Sequence, residues 1–169
     1  MKQIICRAWL LSALLMTGCI DYGSVIVDWA PVHIFIEAVN DEGDSILSPD
    51  MPGMTLTFKG QTYSVKEGYY PVNPPTRDYL PEMYGLVAQA MYEVDGQTVY
   101  RLCFGEIDGS ADMDENILLH WPDGTEDIIH YHCSNHRTWP SVDCKRSWKL
   151  NGEEHEGGTF HFTGKTVPN

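Results

Sequence analysis

The 169-residue chain predicts an antiparallel all-β domain over residues 31–167. Three observations carry that expectation. Apolar residues recur with a period of two in short runs, divided at short intervals by Gly, Pro, Asn and Asp. No apolar stripe of period 3.6 is sustained for three turns. Two hairpins are written out in full, one at Asp95-Gly96 and one at Trp121-Pro122-Asp123-Gly124-Thr125.

The strands follow in order. Val32, Ile34 and Ile36 alternate with His33, Phe35 and Glu37, giving one strongly apolar face, and Asn40-Asp41-Glu42-Gly43 ends the run. Met54, Leu56 and Phe58 alternate next, and Lys59-Gly60-Gln61-Thr62 turns the chain into Tyr63-Ser64-Val65. Residues 66–84 are rich in Pro and Tyr, and the prolines exclude a central strand there. Leu86–Val94 and Val99–Phe104 form a hairpin around Asp95-Gly96. Asp108–Asn116 reads as an acidic loop.

The following hairpin fixes its own register. A type I turn with Pro122 second and a left-handed, bulged Gly124 pairs Trp121 with Thr125, Leu119 with Asp127 and Ile117 with Ile129. Ile117, Leu119, Trp121, Ile129, Tyr131 and Cys133 then share one core face; a two-residue turn would shift the register and mix polar with apolar positions. Trp148–Gly152 and Thr159–Thr163 read as a last hairpin with Phe160 and Phe162 facing inward.

Ahead of the domain, Lys2 and Arg7 precede an apolar run from Ala8 to Met16, then Thr17-Gly18-Cys19. This is the build of a secretory signal, and the run is too short to span a bilayer, which takes about 20 residues. Met16-Thr17-Gly18-Cys19 resembles the lipobox of bacterial lipoproteins. The resemblance implies cleavage after residue 18, acyl chains on Cys19, and a lipid-anchored protein of the cell envelope, at the outer membrane. Residues 19–30 would be a short tether. Loss of residues 1–18 removes two of the 11 Lys and Arg and none of the 24 Asp and Glu, so the formal charge moves from −13 to −15. Such a chain repels nucleic acid and anionic headgroups, which excludes a nucleic-acid partner.

Cys103, Cys133 and Cys144 remain, in an oxidising compartment. They allow three pairings. Cys133 and Cys144 are close in sequence around a polar, irregular segment and are the favoured disulfide; Cys103, in an apolar strand, is a small buried residue.

Chemistry is sparse. His130 and His132, two apart in a strand, share a face and could both ligate Zn²⁺, with Asp114 opposite His132 as a third ligand and His136 as a fourth. The competing reading is an exposed polar face. Asp112 to Asn116, with Asp108, alternates oxygens like a calcium loop but has Ile117 at the sixth position, where Gly is needed, and no Glu at the twelfth. Tyr69, Tyr70, Tyr79 and Tyr84 could stack on a sugar or a Pro-rich ligand, or fold back to cover the edge of the core. No nucleophile elbow, P-loop or dinucleotide fingerprint occurs, so no cofactor and no enzymatic activity are expected.

One resemblance covers most of the chain after the signal. Asp28-Trp29-Ala30-Pro31, Asp41-Glu42-Gly43-Asp44, Leu47-Ser48-Pro49, Leu102-Cys103-Phe104-Gly105-Glu106, Trp121–Thr125 with Asp127-Ile128-Ile129, and Leu150-Asn151-Gly152 follow one another. The succession resembles small lipoproteins of Bacteroidales. It implies an immunoglobulin-like β-sandwich and brings no catalytic residues. The expected function is a lipid-anchored binding or accessory module for a protein or glycan ligand. The alternatives are a zinc protein using the His130/His132 face, or a structural subunit of an envelope or fimbrial assembly marked by donated or exposed edge strands.

Overall fold

The computed structural model describes residues 32–71, 82–107, 112–138 and 141–167; the signal, Cys19, the tether and Tyr79 lie outside them. Among the described residues there are ten strands and no helix. They are β1 (Val32–Ala38), β2 (Thr55–Phe58), β3 (Gln61–Glu67), β4 (Gly85–Val94), β5 (Gln97–Ile107), β6 (Met113–His120), β7 (Glu126–Thr138), β8 (Ser141–Leu150), β9 (Glu153–His155) and β10 (Thr159–Phe162).

Local chemistry makes the hairpins. Lys59-Gly60, Asp95-Gly96 and Asn151-Gly152 each take two positive φ angles, the two-residue turn whose twist suits a hairpin. They join β2 to β3, β4 to β5 and β8 to β9. The β6–β7 turn is the bulged one: Trp121 N–H donates to the Thr125 carbonyl at 2.9 Å, Gly124 N–H to the Trp121 carbonyl at 3.0 Å, and Gly124 has φ +84°. Its register pairs Ile117 with Ile129 and Leu119 with Asp127, as expected.

The strands form one sheet in the order β10-β1-β5-β4-β3-β2-β6-β7-β8-β9. It is mixed rather than antiparallel: β3 runs parallel to β4, and β1 parallel to β10. Parallel neighbours need long connections, and the Pro- and Tyr-rich segment after Glu67 supplies the first. The second corrects the expected last hairpin. β8 turns back through Asn151-Gly152 into β9, and Glu156-Gly157-Gly158 then carries the chain to the other edge, where β10 joins β1. Gly158 is required at that crossing, because a Cβ there would lie 2.5 Å from the His33 carbonyl oxygen. Two further corrections concern extent. Met113–Asn116 belongs to β6 rather than to an acidic loop, so Asp114 and Asn116 point one way and Met113 and Glu115 the other. The described residues between Cys133 and Cys144 are strand rather than irregular; β7 and β8 stay paired out to Thr138 and Ser141.

The sheet curls until its ends meet over a common core. Ile34, Ile36, Leu86, Leu102 and Phe104 share one buried cluster with Leu56, Ile117, Leu119, Ile129, Tyr131 and Phe160. Ring contacts tie the halves: Trp121 to Phe162 at 5.0 Å, Phe58 to Phe104 at 5.8 Å and Trp148 to Phe160 at 5.7 Å. His155 on β9 stacks on Phe160 of β10 at 4.4 Å. Phe160 and Phe162 are buried, so the inward face expected for them holds although their partner strand differs.

Candidate functional site

The histidine face lies outside the core on β6 and β7. Register sets Asp114 opposite His132 and Asn116 opposite His130. Asp114 Oδ1 sits 3.1 Å from His130 Nε2 and 3.3 Å from His132 Nδ1, while His130 Nδ1 is 2.9 Å from Asn116 Oδ1. His120 and Glu126 close the ladder at 2.8 Å. His136 does not join it. It lies on the same side of β7, opposite Asp143, four residues or about 13 Å beyond His132. Among the described residues no group of three His, Cys, Asp or Glu side chains is arranged to hold a metal ion. The ladder is a solvated hydrogen-bonded surface: the Asp114 side chain is 72% exposed, and such pairs contribute about 0–1 kcal/mol each.

The tyrosines divide. Tyr70 is fully buried on the sheet face opposite the main core, against Val87 and Cys103, with Phe35 and Tyr84 half-buried around it. Its hydroxyl is 2.8 Å from His33 Nδ1, and Tyr84 and Phe35 meet its ring edge-on. Gly105 makes the space: φ is +143°, and a Cβ would stand 2.7 Å from the Tyr70 hydroxyl. Tyr70 is thus a packing residue, not a stacking platform. Tyr69 is 80% exposed and remains available to a ligand. Burial lowers the His33 pKa, partly countered by the charge of Glu106. Glu106, itself buried, accepts the Glu82 backbone N–H at 3.1 Å.

The Cys133 and Cys144 sulfurs are 3.5 Å apart, in contact but without an S–S bond. Cys103 is buried as expected, in the Tyr70 cluster, where its thiol donates to Gln89 Oε1 at 3.3 Å.

Sequence reasoning missed two features. The first is Asp127, a buried carboxylate on the core face that accepts Trp121 Nε1–H (2.7 Å), Asn151 Nδ2–H (2.7 Å) and Lys165 Nζ–H (2.7 Å). Its place opposite Leu119 was legible; its partner Lys165, 38 residues on, was not. The second is the distal half of the β4–β5 hairpin. Leu86, Val87 and Ala88 are buried, but Met91, Tyr92 and Val94 are 42%, 60% and 50% exposed. The signal was the loss of alternation in Met91-Tyr92-Glu93-Val94, where apolar side chains fall on both faces. A cleft of about 400 Å³ lies between this arm and the end of β1 with the segment after it, lined by Tyr92, Tyr100, Arg101, Glu37 and Asp44 among others.

Compared with protein-family models, curated proteins and solved structures, the chain matches none.

Proposed function

We propose that this chain is a binding or accessory module of the bacterial cell envelope, held by acyl chains on Cys19 and related to the small Bacteroidales lipoproteins it resembles. On this reading the curled sheet is an immunoglobulin-like sandwich serving as a rigid stalk, and the module acts by contact with a protein or glycan rather than by catalysis.

The observation that carries the reading is the exposed β4–β5 arm. Past its last pair with β1, Ile36 with Leu102, β5 continues back through Gln97–Arg101, about 17 Å of extra strand. Soluble domains rarely leave Met, Tyr and Val adjacent and exposed unless something covers them. The direction fits an anchored protein. The tether joins the chain at the Val32 end of β1, and the arm projects beyond the Ala38 end, so it would face away from the membrane. Tyrosines beside Glu37 and Asp44 suit a ligand with apolar surface and hydroxyl or cationic groups.

The test has two parts. Cys19→Ala should move the full chain from the detergent phase to the aqueous phase; retention in detergent sinks the anchoring. A photo-crosslinking residue in place of Tyr92, in the intact envelope, should give a discrete adduct that Met91→Asp with Val94→Asp abolishes, while one in place of Glu153 gives none. The binding reading falls if the arm yields no adduct and the purified chain retains nothing on an array of envelope and host glycans.

A further inference from the structure

The β7–β8 hairpin places two thiols where chemistry can join them. Cys133 pairs across with Arg146, and Asn135 with Cys144, so the cysteines are diagonal neighbours on the same face of the hairpin. Their sulfurs touch at 3.5 Å, and a disulfide of about 2.05 Å needs roughly 1.5 Å of further approach. Their surroundings differ. Cys133 is completely buried, whereas Cys144 is partly exposed nearer the connected end of the hairpin, where Thr138 pairs with Ser141, with Arg146 two residues on. Cys103 stands in the separate cluster on the other face of the sheet.

We propose that Cys133 and Cys144 close to a cross-strand disulfide by exchange with an external disulfide, Cys144 receiving the first sulfur and Cys133 resolving it. The Cys144 thiolate attacks one sulfur of R–S–S–R, that S–S bond breaks, and RS⁻ leaves. The Cys133 thiolate then attacks Cys144 Sγ and displaces the second RS⁻. The two cysteine protons end on the two departing thiolates. The chain loses two electrons and the oxidant gains two. Exposure sets the order, because an external disulfide reaches Cys144 but not Cys133. Burial raises the Cys144 pKa, partly countered by Arg146, so exchange speeds up toward alkaline pH. The cellular oxidant rests on the envelope reading; the pairing and its order do not.

Purified full chain, first reduced, is exposed without denaturant to oxidised glutathione at mildly alkaline pH and mapped as peptides without reductant. Wild type should yield a peptide linking Cys133 to Cys144. Cys133→Ser should accumulate glutathione on Cys144. Cys144→Ser should take glutathione on Cys133 at least about tenfold more slowly, a difference that urea erases. A link through Cys103, or two alkylatable thiols at 133 and 144 after treatment of wild type, overturns the pairing; both are read on wild type alone. Equal glutathione capture by the two native variants overturns the order. In acid-quenched cells the same link is expected, and thiols there, with the link formed in vitro, would count against the oxidising compartment and leave the pair intact.

Discussion

Lys165→Met should destabilise the domain by about 3 kcal/mol, through one buried carboxylate. Lys165 Nζ lies 2.7 Å from Asp127 Oδ2, and the two side chains are only 14% and 10% exposed. The ammonium also lies 5.0 Å from the centre of the Trp121 ring and donates to Thr125 Oγ1 at 3.1 Å. Methionine keeps the apolar stem over Trp121 and Phe162 but removes the charge. Asp127 keeps two donors, Trp121 and Asn151, and loses its counter-charge. Breaking a buried pair from one side costs about 3–5 kcal/mol, and the small residual exposure argues for the lower end. For a domain of this size that is a fall in Tm of about 10 °C. The pH dependence separates this cause from lost packing. Burial disfavours the charged Asp127, but hydrogen bonds from Lys165, Asn151 and Trp121, with the charge of Lys165, outweigh it and hold the carboxyl below its ordinary pKa. A depressed carboxylate contributes its stability above the unfolded pKa of about 3.9 and loses it as pH falls below that. Urea melts should therefore show the cost of Lys165→Met in full at pH 7 and shrinking below pH 4. The double variant with Asp127→Asn should lose less than the sum of the singles. A cost under about 1 kcal/mol at pH 7, or one unchanged at pH 3.5, would refute the reasoning.

Three other outcomes follow from the packing. Leu119→Ala should cost about 2–5 kcal/mol in denaturant melts and Leu118→Ala clearly less, because only Leu119 is in the core; the reverse order would mean the β6–β7 register is wrong. Gly105→Ala should destabilise by several kcal/mol and expose Tyr70 to solvent, seen as quicker tyrosine nitration, since its Cβ would collide with the Tyr70 hydroxyl and the Val32 carbonyl. Tyr92→Asp should leave the melting curve within about 0.5 kcal/mol of wild type, which makes it a clean probe of binding by the arm.

What the sequence disclosed was local. The register from Ile117 to Tyr131 could be read because one turn, Trp121–Thr125, specifies it, and a slip of one residue would bury Leu118 and Ile128 instead. Asp95-Gly96 announced its hairpin for the same reason. Phe160 and Phe162 announced an inward face, but alternation says nothing about which strand lies alongside, so the parallel pairing with β1 was invisible. Met113 was hidden among acids, although its spacing of four from Ile117 continues the core alternation. At the candidate sites, the strand period brought Asp114, His130 and His132 together, while the rise over four residues kept His136 away although it lies on the same side. The arm was missed because its residues are β-forming and apolar; only the course of the neighbouring strands shows that nothing among the described residues covers Tyr92.

The meeting of β9 and β10 has a consequence for the lipid-anchored protein proposed above. Anchored proteins meet their own copies at high local density, and an open sheet edge is a template on which copies can add to one another. Here the edges belong to consecutive strands joined by three residues, and His155, Phe160 and Trp148 lock together across the seam. An invading strand would have to part that aromatic stack before making its first backbone hydrogen bond. The seam thus acts as a guard against self-templating at the β9 and β10 edges, which leaves the unpaired stretch Gln97–Arg101 of the arm as the place where another chain could add.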